Sequence, residues 1–127
     1  MLHVVETSKD VGRAARDLEE AVTRNKFGVL HVYDLKDKLR EKGVALANEC
    51  RVLEVCNPQQ AARVLNEDME VSLALPCRIS VYEEGGRTKI GTILPTALLS
   101  VFPGAQKLRP VAEEVERALL KMIDEAR

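Results

Sequence analysis

The sequence predicts an α+β fold in which a mainly antiparallel sheet of about five strands packs against two long helices and one or two short ones. Three observations lead to this prediction. Apolar residues follow strand or helix periodicity in the order strand, helix, strand, short helix, strand, helix, hairpin and helix. The late hairpin favours α+β over a doubly wound parallel fold. The length of 127 residues fits one domain, which we place at residues 1–127.

The first strand and the first helix have clear sequence patterns. Leu2–Glu6 is a short run rich in β-branched residues and predicts a strand. Thr7 or Ser8 is expected to cap the following helix, because a side-chain oxygen there can accept an amide hydrogen of the first turn. The helix ends near Asn25, and its apolar face combines residues at helical spacing: Val11, Ala14, Ala15, Leu18, Ala21 and Val22.

The next part of the chain predicts two strands separated by a short helix. The strands are Val29–Asp34 and Arg51–Val55. Asp34 also caps the short helix, and Gly43 stands where a left-handed residue ends it. A looser stretch, residues 44–49, leads into the second of these strands.

The helix after the third strand has a defined start. Asn57 suits the N-cap, and Pro58 suits the first helical position, where its missing amide hydrogen costs nothing. Gln60 lies three residues beyond the cap and is expected to reach back to it, as in a capping box. The helix runs to about Asn66, and residues 69–76 form an apolar connector.

The fourth and fifth strands form a hairpin. Cys77–Glu83 and Thr88–Leu94 are the strands, and Gly85 and Gly86 supply the positive φ angles of the turn between them. Alternation along the fourth strand places three residues on one face: Cys77, Ile79 and Val81.

The end of the chain predicts a short apolar segment and a long helix. The segment, Thr96–Phe102, lies between Pro95 and Pro103. Pro110 is expected to open the terminal helix, because proline is favoured in the first turn. The inward face of that helix combines Val111, Val115, Ala118, Leu119, Met122 and Ile123.

Composition excludes several classes of function. Nineteen basic and 20 acidic residues leave no basic excess, and four aromatic side chains are few for stacking bases, so we expect no nucleic-acid partner. The longest uncharged run, Ile90–Gln106, is interrupted by glycine and proline and is too short for a membrane span. Three cysteines are an odd number, and no signal peptide is evident, so a reducing cytoplasm is the expected location.

The sheet is expected to have one face that the two long helices do not cover. Such a face would need another cover if it carried some combination of Val5, Leu30, Val32, Val55 and Ile93. A second copy of the chain would supply that cover. The sequence therefore predicts a homodimer.

Two cysteines are the strongest local candidates for chemistry. Cys56 closes the third strand and Cys77 opens the fourth, so an antiparallel pairing brings both thiols to one end of the sheet. One interpretation is a redox-active or metal-binding pair, with Cys56 acidified by the helix start that follows it. The other is a pair of small core residues, because free cysteine is often buried. Neither histidine has ligand spacing to the cysteines, so we expect no metal and no cofactor.

The start of the Asn57–Pro58 helix also has two interpretations. In the first, these residues only begin the helix. In the second, the amides at the helix start bind an anion, and Arg78 on the facing strand contributes charge.

These segments resemble the family known as domain of unknown function 302. The resemblance rests on Cys56-Asn57-Pro58 followed by Ala61 or Ala62 and Leu65, on the segment from Leu75-Pro76-Cys77 to Glu83, and on Pro95. Phe27-Gly28-Val29-Leu30, Leu39 and Lys42-Gly43 occur in the matching order, and the resemblance covers residues from about 10 to 100. The sequence departs from the family pattern at two places: Cys50 or Arg51 stands where a tyrosine is frequent, and Leu94 where an acidic residue is frequent.

The resemblance implies a fold rather than an activity. Members are small α+β domains with a single curved antiparallel sheet around helices, similar in outline to TATA-binding-protein-like folds and often paired as dimers. Likeness of fold to a DNA-binding protein transfers no function.

Two classes of function follow from these observations. The first is a cytoplasmic binding or interaction module that dimerises, takes an unidentified small molecule or anion, and has a pocket near Cys56, Asn57 and Cys77. The alternative is a redox sensor or enzyme in which Cys56 is the reactive thiol and Cys77 the resolving one. Because no nucleophile, phosphate loop or other catalytic motif is recognisable, we favour the binding module.

Overall fold

The computed structural model describes residues 1–127 and contains one five-stranded sheet, in which every neighbouring pair is antiparallel. The strands are β1 (Leu2–Thr7), β2 (Gly28–Asp34), β3 (Cys50–Cys56), β4 (Cys77–Glu84) and β5 (Arg87–Ile93), in the spatial order β1-β5-β4-β3-β2. The helices are α1 (Val11–Arg24), α2 (Leu35–Glu41), α3 (Pro58–Glu67), α4 (Pro95–Leu98) and α5 (Ala105–Ala126). Two short 3₁₀ helices cover Met69–Ala74 and Leu99–Val101. The predicted α+β class is confirmed.

Most of the local predictions are confirmed. Asp34 caps α2 by accepting a hydrogen bond from the Asp37 amide, and Gly43 has a φ of 79° just after that helix. Gly85 and Gly86 have φ angles of 61° and 75° in the β4–β5 turn, as a tight hairpin with two left-handed residues requires.

Two predicted helix starts are wrong. The cap of α1 is Asp10, whose Oδ1 accepts from the Arg13 amide at 2.7 Å, so neither Thr7 nor Ser8 caps the helix. Helix α5 begins at Ala105, and Pro110 lies inside it. Pro110 is exposed near the start of the helix, where the one carbonyl that it leaves without an amide partner can be solvated.

The main core lies between the sheet and two helices, α1 and the C-terminal half of α5. Its strand residues include Leu53, Ile79 and Ile90, which have no exposed surface. Nine helical residues of this main core come from the predicted apolar faces: Val11, Ala14, Ala15, Leu18, Ala21, Val22, Leu119, Met122 and Ile123. Ala126 of α5 joins them and was not predicted.

A second cluster of seven buried residues lies beyond the end of the sheet. It joins α3, both 3₁₀ helices and the N-terminal half of α5, and consists of Val64, Val71, Leu99, Phe102, Leu108, Val111 and Ala112. Val115 of α5 touches both this second cluster and the main core. Helix α5 therefore connects the two apolar regions.

The sheet face away from α1 and α5 carries charged side chains such as Arg78 as well as exposed apolar ones. Of the five residues considered for this uncovered face, Val5, Val32 and Val55 belong to the main core or pack against it. Strand alternation explains the result, since each of these residues is one position away from an outward residue. Leu30 and Ile93 are exposed, at 60% and 49% of their surface. No helix is both long enough and apolar enough to cross a membrane.

Candidate functional site

A cavity of about 300 Å³ lies where β3 ends and β4 begins. Its walls come from both strand ends, α3, the segment before β4, α4 and the N-terminal half of α5. The lining residues are Phe27, Val55, Cys56, Asn57, Gln60, Ala61, Val64, Leu65, Ser72, Ala74, Leu75, Pro76, Cys77, Pro95, Leu98, Leu99, Val111, Ala112 and Val115. Residues far apart in the chain thus converge on one space.

The cavity wall is apolar and uncharged. Fourteen of its 19 residues are hydrophobic, and none is Asp, Glu, Lys, Arg or His. Val64, Val111 and Ala112 are buried and belong to the second cluster, whereas the uncharged polar side chain of Ser72 is exposed. The cavity therefore has an apolar floor. Of its polar groups, Ser72 lies toward solvent, and the Gln60 Oε1 is buried without a hydrogen-bond partner.

The side chain of Asn57 accepts hydrogen bonds from the amides at the start of α3. Its Oδ1 accepts from the amides of Gln59 at 3.1 Å and Gln60 at 3.2 Å, and its backbone carbonyl accepts from Ala61. Pro58 follows at the first helical position, so the predicted cap is confirmed. The predicted capping box is wrong, because the Gln60 Oε1, which would have to accept from the Asn57 amide, has no hydrogen-bond partner. The Gln60 Nε2 donates to Glu114 on α5 at 3.2 Å. The first turn of α3 consequently has few amide hydrogens left for an anion.

The two thiols lie together at the same end of the sheet, as antiparallel pairing predicts. Cys77 is paired in register with Val55, one residue before Cys56, and both cysteines line the cavity. Burial raises the pKa of the Cys56 thiol. Burial, with a smaller contribution from Cys56, raises the pKa of the Cys77 thiol to about 11. Both shifts favour the protonated thiol, whereas a helix start alone would favour the thiolate.

Arg78 lies away from the cavity, on the uncovered sheet face. Its guanidinium is 3.2 Å from the Glu54 carboxylate, which also accepts a hydrogen bond of 2.9 Å from the Tyr33 hydroxyl. Glu54 is only 12% exposed, and its hydrogen bond raises the pKa of Tyr33. The structure therefore groups Cys56, Asn57 and Cys77, with Pro58 beside them at the start of α3, and separates Arg78 from them.

Sequence reasoning did not identify the residues that α4 and α5 contribute to the cavity. Pro95, Leu98 and Leu99 come from the long uncharged run, and Val111 and Val115 come from the terminal helix. The uncharged run was a visible signal that this segment is covered. Nothing local showed that it folds back against α3. No group of three or more His, Cys, Asp or Glu side chains has an arrangement that could hold a metal ion.

Comparisons with known proteins agree with this architecture. The family model described as domain of unknown function DUF302 matches residues 3–126. A similar solved structure is the crystal structure of an uncharacterized conserved protein DUF302 from Bacillus stearothermophilus, with 39% sequence identity and a TM-score of 0.93. The alignment covers 99% of this chain and 98% of that one. None of the curated proteins matches the chain.

Proposed function

The chain belongs to the DUF302 family, a family whose description assigns no function, and we propose that it is a small-molecule binding module. The observation that carries the proposal is the cavity of about 300 Å³ beside Cys56, Asn57 and Cys77. Small-molecule sites are typically concave, mostly apolar and about 300–1,000 Å³ in volume, with a few polar groups that orient the ligand. This cavity meets each of these criteria at the lower end of the size range.

The chemistry of the wall supports binding rather than catalysis. General acid–base catalysis requires a positioned group that exchanges protons near neutral pH, and the wall offers amides, one hydroxyl and two thiols. Burial shifts both thiols toward the protonated form, which is the weaker nucleophile.

Chemical-shift mapping tests the proposed binding site. Fragments of about ten non-hydrogen atoms are titrated into the isotope-labelled protein, and the perturbed backbone amides are identified. We expect the perturbations to cluster at α3, the Leu75–Cys77 segment and the first half of α5. Perturbations confined to the uncovered sheet face, or the absence of any saturable shift, would contradict the proposal.

Alkylation separates binding from thiol chemistry. Because both thiols are shifted toward the protonated form, Cys56 and Cys77 should react slowly at pH 7 until the protein unfolds. Intact mass and peptide mapping measure each rate. Rapid reaction of the folded protein at Cys56, followed by a Cys56–Cys77 disulfide under mild oxidant, would favour the redox alternative.

Self-association of two copies is part of the proposal, through the β1 edge of the sheet. Leu2 and Val4 are exposed at 69% and 45%, and β1 keeps a continuous register with β5. The Met1 carbonyl accepts from Leu94, so by alternation the backbone groups of Leu2 and Val4 point away from β5. An unpaired apolar edge of this kind favours pairing with another strand.

The opposite edge of the sheet provides a matched control. β2 has a break in register between Val29 and His31, which twists an edge and discourages pairing. Val4→Lys should therefore shift the protein toward monomer in sedimentation experiments, and Leu30→Lys should leave the association unchanged. A wild-type monomer at high micromolar concentration would contradict self-association. A dimer that is unaffected by Val4→Lys would contradict the choice of edge.

A further inference from the structure

We infer that the cavity binds an uncharged, largely apolar molecule with a single polar end. The cavity volume of about 300 Å³ corresponds to roughly ten non-hydrogen atoms, because a water-sized volume is about 30 Å³. The inference rests on the proposed binding function and specifies the ligand class for that site. Three features of the cavity support it: its size, the absence of a charge partner, and the separation of its polar and apolar walls.

The size of the cavity limits the apolar body of the ligand. A volume of about 300 Å³ is filled by a chain of roughly eight or nine carbons with one polar atom. A longer chain would have to leave the cavity or open the contact between α3 and α5. Affinity should therefore increase with chain length and then stop increasing.

No basic side chain lines the cavity to pair with a negatively charged ligand. The amides of Gln59 and Gln60 already bond to Asn57, and the guanidinium of Arg78 bonds to Glu54 on the other face of the sheet. A buried carboxylate without a partner is strongly disfavoured relative to water.

No unpaired anion is available to a positively charged ligand either. An acidic group beside the polar wall is Glu114, which accepts from Gln60. Its carboxylate also lies 3.4 Å from the guanidinium of Arg63. The wall of the cavity thus offers no charge of either sign, and an uncharged ligand is favoured.

The two walls of the cavity determine the orientation of the ligand. Val64, Val111 and Ala112 form a buried apolar surface, against which the apolar body of the ligand would pack. The polar end would lie toward Asn57 and Ser72, where it can bond to an amide or a hydroxyl or remain hydrated.

A series of straight-chain alcohols tests the inference, with carboxylates and amines of equal length as matched charged probes. Binding is measured by calorimetry and by shifts of cavity-lining amides at pH 7. We expect affinity for alcohols to rise roughly fourfold per methylene and to level off near eight or nine carbons. The carboxylate and the amine of the best length should bind at least about tenfold more weakly than the alcohol.

Two alanines of α3 provide matched variants. Ala61 lines the cavity, whereas its neighbour Ala62 is exposed and does not. Ala61→Leu should reduce affinity for octanol at least about tenfold, because the larger side chain fills the space. Ala62→Leu adds the same atoms outside the cavity and should leave octanol binding unchanged. Amide spectra of each variant check that it is folded.

The outcomes separate this inference from the proposed function. If octanoate or octylamine binds as tightly as octanol at the cavity, the inference of an uncharged ligand is wrong and the binding function stands. Affinity that keeps rising beyond twelve carbons would contradict the size limit. If none of the three classes perturbs the cavity, and unrelated fragments also fail, the proposed function is overturned.

Discussion

The main core and the second cluster are built from the same kinds of side chain but are packed differently. The main core holds 16 buried residues, and the Leu18, Leu53 and Ile79 side chains are completely enclosed. The second cluster holds seven, and Leu99 and Phe102 retain 7% and 9% exposure. Several residues of the second cluster border the 300 Å³ cavity, whereas only Val55 and Phe27 do so from the main core.

This difference in packing indicates that the two regions have separate roles. Side chains that border a cavity have fewer protein contacts on that side, so the second cluster is expected to contribute less to stability per residue. A ligand that fills the space would restore those contacts. The main core holds the sheet and α1 in place, and α5, which enters both regions, positions the cavity relative to that scaffold.

The largest expected effect on stability comes from a pair of matched leucine truncations, which tests this comparison directly. Leu53→Ala in the main core should lower the free energy of unfolding by about 3–5 kcal/mol, because Leu53 has no exposed surface and its neighbours cannot close the gap. Leu99→Ala in the second cluster should lower the free energy of unfolding by about 2 kcal/mol, since Leu99 borders the cavity. Urea denaturation of both variants measures the difference. Equal losses would mean that the two regions are equally well packed.

Alkaline pH should lower the free energy of unfolding through Cys77, whose thiol lines the cavity. The thiol loses its proton near pH 9 in the unfolded chain and near pH 11 in the folded protein, so the unfolded chain binds fewer protons between these values. Stability is therefore fully retained below pH 9 and falls by about 2–3 kcal/mol as the pH rises to 11.

A variant without the Cys77 thiol isolates this effect from the other groups that titrate at high pH. Cys77→Ala should show a shallower loss of stability between pH 9 and 11 than the wild type, measured by urea denaturation at each pH. Parallel pH curves for the two proteins would show that Cys77 titrates alike in the folded and unfolded chains.

The two helix caps allow a smaller comparison. Asp10→Ala and Asn57→Ala each remove a side-chain oxygen that accepts hydrogen bonds from backbone amides. Each substitution should lower the free energy of unfolding by about 1 kcal/mol. Because α3 packs on the second cluster, Asn57→Ala should also speed hydrogen exchange of the α3 amides about fivefold. Unchanged thermal stability of Asn57→Ala would show that the cap contributes nothing.

The local chemistry of the sequence was sufficient for the fold class and for half of the candidate site. Asn57, Pro58 and the glycines of the hairpin act through neighbouring residues, so their roles can be predicted without tertiary information. Antiparallel pairing then brings Cys56 and Cys77 together.

The remaining features depend on contacts between distant segments. In one of the two interpretations Arg78 contributed charge at the start of α3, but its guanidinium pairs with Glu54 on the other face of the sheet. Gln60 was expected to bond to its own helix start, but its side chain is oriented by donation from Nε2 to the Glu114 carboxylate on α5, and its Oε1 has no hydrogen-bond partner. Pro110 fits a helix start in sequence, yet the chain after Gly104 is already helical. In each case a partner more than 20 residues away, or the packing of a whole helix, overrides the local preference.

The smallest expected effect distinguishes a cavity from an ordinary packing defect. Ala61→Leu adds three carbons to a wall of the cavity, and Ala62→Leu adds them to an exposed site one residue along the same helix. Filling unoccupied apolar space should raise the free energy of unfolding by about 0.5–1 kcal/mol, whereas the exposed substitution should change it by less than about 0.5 kcal/mol. Urea denaturation without ligand measures both. If Ala61→Leu is instead destabilising by 1 kcal/mol or more, the space is too narrow for added carbons, and the second cluster is packed as tightly as the main core. A gain in stability combined with a loss of octanol binding would show that the void is open for a ligand at the expense of stability, as a binding site on an otherwise well-packed scaffold requires.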